Sequence, residues 1–151
     1  MKIGVVGLGY VGLVTAAVLA DQGHYIVGVD IDESKVKGLN CNRVPIYEPG
    51  LDELLAKNRE RLQFTTKYED LSDVDLAFIT VSTPTVDGRI YLGHVFSAAK
   101  SLSVIPKDSV IVVKSTVIPG TARKVKEISG REVVSNPEFL REGSAIQDTV
   151  K

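Results

Sequence analysis

A chain of 151 residues is long enough for one domain with a substantial core and too short for two ordinary ones. Hydrophobic residues make up 44% and charged residues 25%, the balance of a folded globular chain rather than a disordered or fibrous one. A net charge of -1 argues against a polyanion-binding surface, so nucleic acid is not an expected partner.

The apolar opening, MKIGVVGLGYVGLVTAAVLADQG, resembles a signal peptide at first sight. Glycines at Gly4, Gly7, Gly9 and Gly12 break any continuous helix there, and Asp21 and Gln22 close the run. No apolar stretch is long enough to span a bilayer, so no membrane is expected. The single cysteine, Cys41, leaves neither an internal disulfide nor a cysteine-based zinc cluster. A cytoplasmic, reducing compartment fits, and no metal site is expected.

Short β-rich runs then alternate with helical ones. Lys2–Val6 reads as a strand, and Val11–Gln22 as a helix ended by Gly23. Tyr25–Asp30 is a second strand and Glu33–Leu39 a helix. Asn40–Gly50, with two prolines, is a loop. Leu51–Arg61 has helical composition, Leu62–Thr65 is a short strand, and Leu76–Val81 a stronger one. After a loop over Ser82–Arg89 come a helix at His94–Leu102, a strand at Ser109–Lys114, a helix at Thr121–Ser129 and a strand at Glu132–Ser135. Pro137 is expected to open a final helix. Six strands alternating with helices predict a doubly wound Rossmann-type parallel sheet in three α/β/α layers. Ligands in such sheets bind beyond the carboxyl ends of the strands.

The first such end carries Gly7-Leu8-Gly9-Tyr10-Val11-Gly12. A bare G-x-G-x-x-G is weak, but here it follows a strand and opens a helix, and the acidic Asp30 ends the next strand about twenty residues on. Gly7 permits the tight turn, Gly9 lets backbone approach a pyrophosphate, and Gly12 lets helix and strand pack closely. Asp30 would accept hydrogen bonds from the adenosine ribose, which favours NAD over NADP. FAD shares the fingerprint. A glycine-rich turn with Asp30 merely capping the next helix is the plain alternative.

Other strand ends carry Ser82-Thr83-Pro84, Lys114-Ser115-Thr116 and Ser135-Asn136-Pro137-Glu138. Thr83, Thr116 and Asn136 are either ligand-orienting groups or ordinary turn and cap residues. If Asn136 caps a helix with Pro137 at its first position, Glu138 complements the helix dipole. Glu142, one turn deeper, gains nothing from that, and the like-charged pair costs about 0.2–0.5 kcal/mol. The stretch therefore reads as part of a site.

Together, KIGVVGLGYVGL, VGVDIDESKVKGLN, PIYEPGLDELL, FITVSTP, KSTVIPGT and SNPEFLREGSAIQD resemble the nucleotide-sugar 6-dehydrogenases, the UDP-glucose/GDP-mannose 6-dehydrogenase family, over almost the whole chain. The resemblance implies two successive NAD-dependent oxidations at C6 of a nucleotide sugar. A cysteine traps the aldehyde as a thiohemiacetal, a second hydride transfer gives a thioester, and water releases the uronic acid. Carried over by motif, Gly7, Gly9, Tyr10, Val11 and Gly12 hold the cofactor pyrophosphate and Asp30 its ribose. Lys35 lies near the adenosine, and Thr83 touches the cofactor. Thr116 positions a water as well as contacting the cofactor, and Glu138 performs acid–base work. Glu142 stands near nicotinamide and substrate, and Glu138, Phe139, Leu140, Arg141 and Glu142 line the sugar pocket.

The family's nucleophilic cysteine, and the lysine and asparagine that complete its substrate site, lie in a C-terminal portion that has no counterpart here. Cys41 is no substitute. Tyr91 stands where the family commonly has an aspartate, which points to local packing. Residues 1–151 are thus expected to be the NAD-binding domain of an enzyme that lacks its central helix and C-terminal domain in this chain. The full-length protein would be a homodimer acting on a nucleotide-sugar substrate, with UDP-glucose favoured over GDP-mannose and the UDP-N-acetylhexosamines. A stand-alone NAD-binding or regulatory module, or a 3-hydroxy acid dehydrogenase with the same N-terminal fold, are the alternatives.

Overall fold

The computed structural model describes residues 1–150. Strands β1 (Lys2–Val6), β2 (Tyr25–Val29), β3 (Leu62–Thr65), β4 (Leu76–Ile79), β7 (Val110–Val113) and β8 (Glu132–Ser135) form one sheet in the order β3-β2-β1-β4-β7-β8. Every neighbouring pair in it is parallel, with Val5 of β1 opposite Gly28 on one side and Phe78 on the other. The strand order reverses between β1 and β4, so the carboxyl ends of the two strands flank an open crevice. A separate hairpin pairs β5 (Thr85–Val86) with β6 (Arg89–Ile90).

The central strands are buried along most of their length because helices cover both faces. One core cluster joins Val5, Ile26, Leu62 and Phe64 to helices α1 (Tyr10–Asp21), α2 (Glu33–Asn40) and α3 (Leu51–Lys57). The other joins Val6, Val29, Ile79, Ile111 and Val113 to α4 (Gly93–Ser101) and α5 (Thr121–Ser129). This is the expected three-layer arrangement. Helix α1 is apolar on all sides because the sheet lies on one side and α3 and α6 (Ala145–Val150) lie on others. That burial accounts for its likeness to a signal peptide.

Three local expectations change. Helix α3 stops at Lys57, and Arg59–Arg61 is a single 3-10 turn. Asn58 ends the helix by donating its side-chain amide to the Leu54 carbonyl at 2.9 Å and to Asp21 at 3.0 Å. The loop after β4 contains the short hairpin, turned by Asp87 (φ 49°) and Gly88 (φ 73°), the positive-φ pair that a two-residue hairpin requires.

The third change matters most: Pro137 does not open a helix. Residues 136–141 are irregular, 142–144 form a turn, and α6 begins only at Ala145. Carboxylates take the backbone donors that a helix would need. The Leu140 N–H donates to Glu138 Oε2 at 2.7 Å, Arg141 N–H to Asp148 at 3.2 Å, and the Gly143 and Ala145 N–H groups to Glu48, both at 2.8 Å. Side chain–backbone competition thus overrides the local signal. Glu138 and Glu142 consequently do not share a helix face.

The glycine turn is held by close packing. Gly7 has φ +96° and its N–H donates to the Val29 carbonyl at 2.8 Å. A Cβ on Gly12 would overlap the Gly7 carbonyl oxygen and lie 2.9 Å from Thr80 Oγ1. The substitution Gly12→Ala must push backbone apart and should destabilise the chain by about 1–3 kcal/mol. Urea unfolding reads this directly, and an unchanged midpoint would contradict the packing described.

Candidate functional site

Five strand ends converge on the crevice. Gly7–Gly9 follow β1, Asp30 follows β2, Thr80–Thr83 follow β4, Lys114–Thr116 follow β7, and Asn136–Glu138 follow β8. Two clefts lie along this edge. The first, of about 370 Å³, is lined by Gly7, Gly9, Asp30, Ile31, Lys35, Tyr68 and His94 among others. The second, of about 240 Å³, is lined by Gly9, Tyr10, Val11, Thr83, Lys114, Ser115, Thr116 and Glu138. Gly9, Thr80, Val81 and Ser82 border both, so the clefts meet over the glycine turn. An extended ligand can occupy both with its middle at Gly9.

The three glycines of the fingerprint act differently. Gly7 and Gly12 are demanded by the protein's own packing, as described above. A Cβ on Gly9 would meet no protein atom within 4 Å. Space above Gly9 is therefore open to a ligand. Helix α1 has no side-chain cap at Gly9 and no acidic residue in its first turn, which leaves its N-terminal N–H groups for an anion. These features fit a dinucleotide pyrophosphate.

At the first cleft, Asp30 is 8% exposed. Its Oδ2 accepts the Leu8 N–H and the Lys35 ammonium, both at 2.8 Å, and its Oδ1 accepts the Asp32 N–H at 3.0 Å. Asp30 thus ties the glycine turn to the start of α2, and Lys35 is its ion-pair partner. A carboxylate offers about four acceptor positions, of which three are filled. One remains on Oδ1 for a ligand hydroxyl. Burial, and then the negative charge of Asp30, push the Tyr68 phenol above its ordinary range.

The second cleft brings Thr83, Thr116 and Glu138 together with Tyr10 and Val11. Lys114 and Ser115 are pinned to β4: both N–H groups donate to the Ile79 carbonyl, and the Ser115 hydroxyl donates to the Val81 carbonyl at 2.7 Å. Gly12 lies beneath the turn, buried. Leu140 packs against the core. Phe139 is 85% exposed, and Arg141 is engaged by Asp148 through two side-chain hydrogen bonds. Glu142 is exposed and borders neither cleft, although its charge acts on the Tyr10 phenol. Cys41 is exposed at the end of α2, also outside both clefts. Tyr91 stacks edge-on against His94, with ring centroids 5.3 Å apart.

Glu48, Thr80 and Lys114 were not singled out by sequence reasoning. Thr80 donates to the Val6 and Gly7 carbonyls at 2.9 and 2.8 Å and so clamps the turn from below. Glu48, in the PIYEPG loop, is 5% exposed. The Tyr10 hydroxyl donates to its Oε2 at 2.5 Å, the Gly143 N–H to the same oxygen at 2.8 Å, and the Ala145 N–H to Oε1 at 2.8 Å. The Tyr10 hydroxyl is the largest influence holding Glu48 below the ordinary carboxylate range; backbone donors add to it and burial opposes. Burial first, then the hydrogen bond and charge of Glu48, push the Tyr10 phenol up to about 12. Glu48 lies in the PIYEPG run that carries part of the family resemblance, but local rules do not convert an acidic residue there into a distant cap.

Among the described residues no His, Cys, Asp or Glu group is arranged to hold a metal ion. No helix among them is long and apolar enough to cross a membrane.

The sequence model of the UDP-glucose/GDP-mannose dehydrogenase family, NAD binding domain, matches residues 1–151. An uncharacterised protein of Methanocaldococcus jannaschii is 50% identical over 98% of this chain and 17% of its own length. The UDP-glucose 6-dehydrogenase TuaD of Bacillus subtilis is 46% identical over 99% of this chain and 35% of its own length. The crystal structure of a ternary complex of GDP-mannose dehydrogenase from Pseudomonas aeruginosa superposes with a TM-score of 0.88 at 36% identity, covering 99% of this chain and 38% of that one. The chain thus spans well under half the length of these relatives.

Glu48 titrates lower in the folded chain than its ordinary value of 4.5. Its contribution to stability is therefore complete above that value and is lost as the pH falls through the folded-state value. Glu48→Gln should lower the urea midpoint at pH 7 and flatten the loss of stability below about pH 4.5. Identical acid limbs for the two chains would contradict this placement of Glu48.

Proposed function

The chain belongs to the UDP-glucose/GDP-mannose dehydrogenase family as its NAD-binding domain, and we propose that it serves an enzyme oxidising C6 of a nucleotide sugar to the uronic acid. The substrate we favour is UDP-glucose. The observation that carries this reading is the meeting of two clefts over the bare backbone of Gly9, with Asp30 at one end and Thr116 and Glu138 at the other.

Bound in this way, NAD supplies the acceptor for a hydride. The residues of the chain divide the remaining work. The glycine turn and the first N–H groups of α1, at Tyr10 and Val11, hold the pyrophosphate. Asp30 takes a ribose hydroxyl at its one open acceptor position. A 2′-phosphate brings no donor proton at neutral pH and adds negative charge beside the carboxylate, so NADP is disfavoured. Lys35 keeps Asp30 in place, Thr83 contacts the nicotinamide half, and Glu142, outside both clefts in this chain, reaches the nicotinamide only in the full-length enzyme.

Glu138 has one oxygen committed to the Leu140 N–H. Its other oxygen has no hydrogen-bond partner among the described residues. In our reading that oxygen takes the C6 hydroxyl proton as the hydride leaves carbon for NAD, and gives it up to solvent. It later takes a proton from water positioned by Thr116 as that water adds to the thioester carbon and the cysteine sulfur leaves. Phe139, Leu140, Arg141 and Glu142, which border neither cleft of this chain, form the sugar side of the pocket in the full-length enzyme. A further domain supplies the nucleophilic cysteine, since Cys41 faces neither cleft. The full-length enzyme acts as a homodimer in the cytoplasm.

Calorimetry of the chain should show NAD binding more tightly than NADP, and Asp30→Ala should erase that preference; tighter NADP binding by the parent chain would refute the Asp30 argument. Full-length protein offered UDP-glucose, GDP-mannose, UDP-N-acetylmannosamine and UDP-N-acetylglucosamine should release two NADH per UDP-glucose. Oxidation of none of the four, or one NADH per sugar, would overturn the proposed reaction.

A further inference from the structure

Among the described residues Lys114 is the only cationic side chain lining the second cleft. It makes no ion pair among the described residues, in contrast to Lys35 in the first cleft. Its ammonium donates instead to Asn136 Oδ1 at 3.3 Å. Both ends of that contact are fixed by backbone. The Lys114 N–H donates to the Ile79 carbonyl at 2.9 Å, and the Asn136 N–H donates to the Val113 carbonyl at 2.9 Å. Glu138, two residues beyond Asn136, lines the same cleft with one oxygen unbonded among the described residues.

We propose that Lys114 is a positioning residue for Glu138: held by Asn136, its ammonium opposes the carboxylate across the second cleft and fixes where the unbonded oxygen stands. The inference rests on the proton-transfer role given to Glu138 above. A half-buried ammonium without a counter-ion is unfavourable unless something negative faces it. Burial lowers the affinity of Lys114 for its proton, and the charge of Glu138 acts in the opposite direction. Tyr10 is the other ionisable group on the cleft wall, and its hydroxyl is committed to Glu48. The two charges form no ion pair among the described residues, and in this proposal a water or a ligand hydroxyl stands between them. In that place the group would be oriented by Lys114 while Glu138 takes its proton. Sites of this kind depend on fixed second residues, and a displacement of about 1 Å can lower the rate about 100-fold.

Two measurements test this. In the chain itself, the titration of the Lys114 13Cε resonance should move to lower pH in Glu138→Gln, because the opposing charge is gone; an unmoved titration overturns the proposal. In the full-length enzyme, Lys114→Met should lower kcat about 100-fold with little change in KM for NAD, and Lys114→Arg should recover most of the loss. Undiminished kcat in Lys114→Met, or loss in KM alone, overturns it. The first measurement does not depend on Lys114→Met folding. Undiminished kcat in Glu138→Gln would overturn the underlying role of Glu138; an inactive Glu138→Gln with an unmoved Lys114 would overturn the positioning role alone.

Discussion

A single buried carboxylate, that of Glu48, decides where three distant pieces of the chain meet. It receives the Tyr10 hydroxyl from the glycine turn and the Gly143 and Ala145 N–H groups from the last segment, while its own backbone belongs to the loop before α3. Burying an ionised carboxylate is expensive unless donors surround it. Here the donors come from sequence positions about 40 and 95 residues away. Loss of any one therefore strands the others. Together with Glu138 and Asp148, the same carboxylate takes the donors of the helix expected at Pro137, and residues 136–141 are irregular. Glu138, within this stretch, lines the second cleft.

Much of the fold was legible in the sequence. Continuous Val and Ile runs in β1, β2 and β7 announced strands covered on both faces, and the alternation with helices announced their parallel pairing. The roles of Gly7 and Gly12 also followed from spacing, since a strand–turn–helix leaves them little choice. What local pattern could not supply was long-range hydrogen bonding. Asn136-Pro137 is a sound helix start by local rules, and it loses because Glu138, Asp148 and Glu48 take the donors. Asn58 ends α3 early for a similar reason, by reaching Asp21 on α1.

The candidate site shows the same division. Asp30, Lys35, Thr83, Thr116 and Glu138 were recognisable because they sit at strand ends or in family motifs, and the fold gathers them along one edge. Thr80 and Lys114 were hidden because they close apolar strands, where a single polar residue looks like a boundary. Their partners are backbone carbonyls and an amide on neighbouring strands, which sequence spacing does not reveal. Phe139, Arg141 and Glu142 came from the motif alone, and they stand outside both clefts in this chain by itself.

The central claim is that one dinucleotide lies across both clefts with its middle over Gly9. Titrating NAD into the 15N-labelled chain and following backbone amide shifts tests it most directly. The account predicts that Gly9, Tyr10 and Val11 move together with Ile31 and Asp32 at one end and with Thr83, Ser115 and Thr116 at the other. Shifts confined to one cleft, with the amides lining the other unmoved at saturation, would contradict it.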